Sequence, residues 1–506
     1  MSLDMFGKWR AFFWPIGRSE LKKFIPMLLI FFFITFDYNL LRAFKDSLIV
    51  TAQGSGAEAL PFAKVWAILP MAIGFTFLFT RLTNRFSREK VFYIMIGIFI
   101  SFFFLFVFFL YPAREMLHPH GLADRLQAAL PEGCRGLISL LRNWTFTAFY
   151  VMSDLWSTMI LTVLFWGFAN EVTKVGEAKR FYGIFAIGAN LSTILSGQVA
   201  VFFSGNTFFS WIPYGTQSWE QSLLFVNCTV IASGLLIMGM FRWLNKNVLT
   251  PEERGTVRPE TPKQKMSMRK NFSMLAKSRY LLLIALIVLA YNLGMNLIEI
   301  VWKNQIKELY PAPSSYNTYM GQVMTLTGTV AFFASLFLSV LLRRVSWTTA
   351  ALIPSLVTLV TGGLFFAFAF FAKMPLWSSG IILGLSPLVL SVTFGSMQNC
   401  LARASKYTLF DATKELAFIP LDRETKLKGK AAIDGVGSRL GKSGGSVIHQ
   451  SFLILFGSLA ASAPYIGMIF LATSAIWIFS VTALGKKFDQ LTTQENETKE
   501  PSFSTN

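Results

Sequence analysis

The chain has 506 residues, 53% of them hydrophobic and only 14% charged, with a mean hydropathy of +0.51. That leaves too little polar surface to clothe a soluble fold of this length, so lipid is the expected solvent. The net charge of +19 is explained below by loop positions without nucleic acid, and three scattered cysteines, Cys134, Cys228 and Cys400, exclude a disulfide framework or a cysteine metal cluster.

Residues 1–23 form a basic tail carrying Lys8, Arg10, Arg18, Lys22 and Lys23. The apolar run after it contains Asp37 and is followed by no small-residue cleavage site, which marks an uncleaved first span and not a signal peptide. A hydrocarbon core of about 30 Å takes about 20 helical residues to cross. Runs of that length predict spans at 24–44, 61–80, 91–111, 145–169, 181–203 and 220–243, a six-helix bundle over 24–244. The outer segment at 112–143 contains apolar residues and predicts a short helix on the membrane surface.

A polar stretch with Pro251, Pro259 and Pro262 and dense Lys and Arg reads as a solvated cytoplasmic linker over 245–278. Six more spans follow at 280–301, 317–342, 347–371, 377–402, 439–462 and 464–484, a second bundle over 279–485 with a tail at 486–506. The fold class is therefore an all-α membrane protein with 12 transmembrane helices in two six-helix halves. If the N-terminus is cytoplasmic, 36 of the 46 Lys and Arg lie on its side of the membrane and 7 in the opposite loops, so both termini are expected in the cytoplasm.

The halves carry a faint internal repeat. At an offset of 257, Asn39-Leu40-Leu41-Arg42 lies over Asn296-Leu297-Ile298-Glu299, and at 247 Lys179, Gly188 and Ser196-Gly197 lie over Lys426, Gly435 and Ser443-Gly444. Two related bundles around a midplane site form a major-facilitator-like plan, in which one half rocks against the other.

Charged side chains inside spans cost about 2.5–3.5 kcal/mol each on insertion scales, so those present are expected to face a path or a partner. Arg42, Lys45 and Asp46 share one face at the end of span 1. Lys64 opens span 2, Asp154 lies within span 4, Glu299 and Lys303 end span 7, and Arg439 and Lys442 open span 11. Cations drawn from both halves suit a polyanion, because phosphate accepts charge-assisted hydrogen bonds from Lys and Arg. Asp154 and Glu299 can pair with those cations or meet hydroxyl and amino groups of a cargo. The bland alternative is that Arg42 with Asp46, and Glu299 with Lys303, are local pairs reaching the interface.

The stretch Gly435-Val436-Gly437-Ser438-Arg439-Leu440-Gly441-Lys442-Ser443 imitates a P-loop, but the motif needs glycine at Val436 and a preceding strand. Small residues for close helix packing are the preferred reading. His118 and His120 fall in the outer loop, where solvation is expected, and His449 in span 11 is a proton-relay candidate. No residue set calls for a cofactor or a metal.

From about Trp14 to Lys487 the chain resembles the nucleotide transporter family that includes the ATP/ADP translocases of plastids and obligate intracellular bacteria. The resemblance rests on Pro61-Phe62-Ala63-Lys64-Val65-Trp66, on Leu164-Phe165-Trp166-Gly167-Phe168-Ala169-Asn170-Glu171, and on Asn296-Leu297-Ile298-Glu299 with Trp302-Lys303. It extends through Lys406-Tyr407, Ile419-Pro420-Leu421-Asp422 and Lys428-Gly429-Lys430-Ala431-Ala432-Ile433-Asp434 to Gly441-Lys442-Ser443-Gly444-Gly445. It implies a monomeric carrier in a bacterial inner membrane that exchanges ATP for ADP as cargo, or imports nucleoside triphosphates with protons, and places the family's charged positions on Lys64, Asp154 and Glu299. Family exchangers read R-D-T-K-D where this chain has Arg42-Ala43-Phe44-Lys45-Asp46, and glutamate where it has Asp154. Two polar groups are thus expected to be missing beside the phosphate site. A permease for another organic anion is the further alternative, distinguished by few cations on its path.

Overall fold

The computed structural model describes residues 16–173, 175–205, 208–250, 278–371, 384–421, 425, 429–430, 433 and 438–499. Most of the expected linker, residues 377–383 of the expected tenth span, and 435–437 of the P-loop-like stretch lie outside the described residues. What is described is helical almost throughout, as lipid demands of a chain whose backbone polar groups must be satisfied internally.

Among the described residues, nine helices are long and apolar enough to cross a membrane. They are α1 (Leu21–Val50), α2 (Ala59–Arg85), α3 (Arg88–Leu110), α6 (Trp144–Val172), part of α7 (Val175–Phe203), α8 (Ser218–Asn247), α9 (Arg279–Leu309), α11 (Trp347–Phe371) and most of α14 (Leu459–Lys499). Three more helices, α10 (Pro313–Arg344), α12 (Pro387–Ser405) and α13 (Ser438–Phe456), stand where the remaining spans were expected. The last turn differs from expectation: α13 stops at Phe456 and Gly457 turns the chain at φ 76°, so Pro464 lies inside α14 and does not begin it. Hydropathy runs through this turn unchanged, which hides it from the sequence.

The segment after α3 folds into a one-turn helix at Arg114–Leu117 and two longer ones, α4 (His120–Ala129) and α5 (Arg135–Arg142). They lie at the end of the bundle where α1 passes into α2 and α13 into α14, here termed the far end; the near end carries residue 16 and the last turns of α14. His118 is not solvated as expected. It is buried, with Nε2 2.7 Å from Thr145 Oγ1 and its ring edge-on to Phe146.

One apolar core fills the first half, around Phe24, Ile34, Phe99, Trp156 and Phe241. Another fills the near end of the second half, around Ile284, Tyr291, Phe410 and Trp477. A third joins the halves: Ile49, Leu60 and Phe62 pack with Ile298, Trp302, Tyr316 and Leu453 at the far end. The helices α7 and α10 also meet closely, since a Cβ on Gly321 would stand 2.9 Å from the Gly197 carbonyl oxygen.

Candidate functional site

Between the joined far end and the near end lies a layer of ion pairs. The end of α1 supplies three of its members. Lys45 pairs with Asp154 of α6, and its Nζ sits 4.4 Å over the Tyr150 ring, a contact that a desolvated ammonium gains from the ring face. Asp46 turns to the other half and meets Lys303 Nζ at 2.8 Å. Arg42 reaches Glu299 at 3.9 Å.

Glu299 is the hub. Besides Arg42, its carboxylate lies 3.7 Å from Lys64 of α2, 3.0 Å from Lys303 one turn on, and 3.3 Å from Arg403 of α12. Lys442 on α13 is exposed, and its charge reaches Asp154. Arg439 belongs to α13, but its side chain lies outside the described residues. The structure therefore brings together Arg42, Lys45, Lys64, Asp154, Glu299 and Lys303, with Lys442 in electrostatic reach. The local Arg42–Asp46 pair is replaced by a contact between halves.

Exposure grades across the layer. Asp46 and Lys303 side chains are 1% and 3% exposed, Glu299 is 17%, and Asp154 is 36%. Asp46 and Lys303 lie one turn farther along their helices toward the far end than Arg42 and Glu299. The layer is thus more deeply buried toward the far end than toward the near end. The far seal is built from polar contacts as well: Lys307 donates to the Ser55 carbonyl, Gln450 Nε2 to the Pro61 carbonyl at 2.9 Å, and Ser47 Oγ to Asn317 Oδ1 at 2.8 Å.

Three π-helical turns lie beside charged members. Lys64 is in Ala63–Ile68, Asp154 just precedes Trp156–Phe165, and Arg403 just precedes Lys406–Phe410. Such widened turns break the 3.6 period and re-aim side chains, and they recur at functional sites. Arg403 is the member that sequence reasoning missed, because it sits at the end of an apolar run and counts naturally with loop charges. The repeat does not reveal it, since at the offsets of 257 and 247 Arg403 lies over Phe146 and Trp156.

The offset of 257 gains meaning here. It places Arg42 over Glu299 and Asp46 over Lys303, and these are the pairs that touch. At this offset opposite charges meet between α1 and α9.

Two expectations change. Ala43 and Phe44 do not lie beside the layer; both are buried in the first half's core, Phe44 stacked on Trp219 at 5.5 Å, so their apolar character removes no charge from the site. His449 is fully buried with Nε2 3.2 Å from the Leu297 carbonyl oxygen, and among the described residues no carboxylate pairs with it. Gly441 of the P-loop-like stretch, and Gly445 one turn beyond it, serve packing, as a Cβ on them would press on Asn292 and Asn296 of α9.

Residues 1–488 match the TLC ATP/ADP transporter family. The chain belongs to that family. It is 47% identical to ADP,ATP carrier protein 1 of Chlamydia pneumoniae, over 96% of this chain and 94% of the relative. It is 42% identical to the chloroplastic ADP,ATP carrier protein 1 of Arabidopsis thaliana, over 95% of this chain and 76% of that one. Among solved structures, an inward-facing bacterial homologue of the iron transporter ferroportin superposes with a TM-score of 0.55 at 15% identity, covering 92% of this chain and 98% of that one. The nucleoside transporter NupG gives 0.53 at 11% identity, covering 92% and 100%. At such identities these matches speak for the major-facilitator-like fold alone. Membership makes this family member a transporter and not an enzyme.

Proposed function

We propose that this chain carries adenine nucleotides across a bacterial inner membrane, taking up ATP in exchange for ADP by alternating access. The observation that carries the reading is the layer between the halves: cations from both halves, Arg42, Lys45, Lys64, Lys303 and Arg403, gather at one level with Asp46, Asp154 and Glu299, as a polyphosphate cargo would require. The Chlamydia and chloroplast relatives, both ADP,ATP carrier proteins, point to the same cargo. Arg42, Lys45, Lys64, Lys303, Arg439 and Lys442 are assigned to the phosphates, with Asp154 and Glu299 completing the network.

The two halves are assigned to 24–244 and 279–485, with the linker 245–278 and both tails in the cytoplasm, so the near end is the cytoplasmic one. Seals at the far end must open to admit external cargo, while the charged layer near the pseudo-axis moves least. A monomer suffices for this cycle. Opposed charges in a dry site resist reorientation without cargo, which couples entry of one nucleotide to exit of another.

Uptake of labelled ATP into proteoliposomes tests the reading, with vesicles loaded with ADP, loaded with buffer, or given an inward proton gradient. Stimulation by internal ADP is the expected result. Uptake into empty vesicles that follows the proton gradient would establish net import instead, and no uptake under any condition would remove the adenylate reading.

A further inference from the structure

We propose, on the basis of the nucleotide reading above, that Tyr38 is the platform on which the cargo's base stacks. It is then a specificity-determining residue, telling a nucleotide from a bare polyphosphate.

Exposure along α1 singles this residue out. From Ile34 to Val50 every residue of the helix is buried except Tyr38 and Arg42. Four residues apart, the two share one face, and that face lines open space beside the charged layer. Tyr38 stands one turn, about 6 Å, on the near side of Arg42. It is within electrostatic reach of Lys45, two turns farther along the same face. Asp46 and Lys303 lie buried on the far side, so a cargo whose phosphates rest among the cations extends its base toward Tyr38.

The ring is available for that contact. Elsewhere on α1 aromatic rings are engaged in the core: Phe24 and Phe31 stack on Phe185 at 5.7 and 5.4 Å, and Phe44 stacks on Trp219. Among the described residues the Tyr38 ring meets no other ring. Other rings around the layer are committed. Tyr150 lies under Lys45, and Tyr316 and Trp302 are buried. Trp66 is 63% exposed, but it sits two residues past Lys64, about half a turn around α2. Its Nε1 already donates to Gln450 Oε1 at 3.1 Å.

The second half supplies no matching ring at this level. At the offset of 257 Tyr38 lies under Met295, whose Sδ accepts from Gln398 Nε2 at 3.2 Å. Stacking therefore falls to the first half. Every base has a π-face, so an aromatic platform holds a base without reading its edge.

The test uses purified full-length protein, with ATP, ADP and base-free tripolyphosphate as probes. Tyr38→Leu keeps an apolar side chain and removes the π-face. It should weaken ATP and ADP binding by about tenfold or more and leave tripolyphosphate binding within about twofold. Tyr38→Phe should bind all three like wild type. Irradiation of wild-type protein with 8-azido-ATP should label α1 at Tyr38, and excess ATP should protect it. If Tyr38→Leu fails to yield monodisperse protein, this labelling carries the test. Labelling at Trp66 in place of Tyr38, wild-type ATP affinity in Tyr38→Leu, or equal losses of ATP and tripolyphosphate in that variant would each overturn the proposal while leaving ATP transport standing. Wild-type protein that binds no ATP would overturn the nucleotide reading, and this proposal with it.

Discussion

At the far end the halves meet through backbone and shape. Gly133, between α4 and α5, lies so close to α13 that a Cβ there would stand 2.3 Å from the Leu453 carbonyl oxygen, and Lys307 donates to the Ser55 carbonyl. One layer inward they meet through ions, Asp46 with Lys303 and Arg42 with Glu299. Contacts of the first kind are lost when surfaces part by an ångström or two, because close packing and hydrogen bonds both fall off steeply. Coulomb attraction falls off slowly in a poorly hydrated space, so pairs of the second kind survive a rocking motion. The far end is therefore suited to be a gate, and the charged layer a pivot.

Removing one ion from the pivot should have the largest effect. Lys303→Met leaves Asp46 buried without its cation, a change that typically costs about 3–5 kcal/mol. Thermal unfolding of the purified protein should show a large drop. The double variant Asp46→Asn with Lys303→Met should recover much of it, and a double variant no more stable than the single one would show that the pair does not hold the layer.

Gate contacts should give smaller effects that appear in state populations as much as in stability. Gly133→Ala forces the hairpin from α13 at a cost of about 1–3 kcal/mol, the range for overpacking. With Cys228 and Cys400 replaced by alanine, Cys134 remains as a half-exposed reporter beside the contact. Its labelling by an impermeant maleimide should speed up, and unchanged labelling would mean that the hairpin does not follow the gate. Lys307→Ala removes a single hydrogen bond from the same seal, worth about 1 kcal/mol, and should raise the labelling rate only a few-fold.

The pivot was far more legible in the sequence than the gate, for a physical reason. A charge in an apolar run is costly wherever it points, so Lys64, Asp154 and Glu299 announce themselves without a structure. Arg403 escaped because a helix end can place a cation either in the interface or in the site. The π-helical turns carry no compositional mark. Gly133 looks like any loop glycine until the backbone of α13 is placed against it, and Phe44 looked like a lost polar contact until its stacking on Trp219 turned it away from the layer. Spans follow from local hydropathy, whereas contacts between halves depend on pairs of residues some 120 to 390 positions apart.

Acid should separate gate from pivot most gently. His118 lies outside the spanning helices, in the segment that carries the far hairpin, and burial lowers its pKa to about 4, opposed only in part by Glu115 and reinforced by His120 and Arg114. The ordinary value is about 6.5. Above that value His118 is neutral whether the hairpin is docked or open, and its docking is at full strength. As pH falls from about 6.5 toward 4, the open form takes up a proton that the docked form refuses, so docking weakens progressively through that window. Hydrogen exchange in residues 114–142, corrected for its intrinsic pH dependence, should accelerate at pH 5 relative to pH 7.5, with helices α1 and α9 unchanged. His118→Asn should flatten the difference. Acceleration that persists in this variant would place the titrating group elsewhere, and acceleration extending equally into α1 would mean that gate and pivot do not come apart.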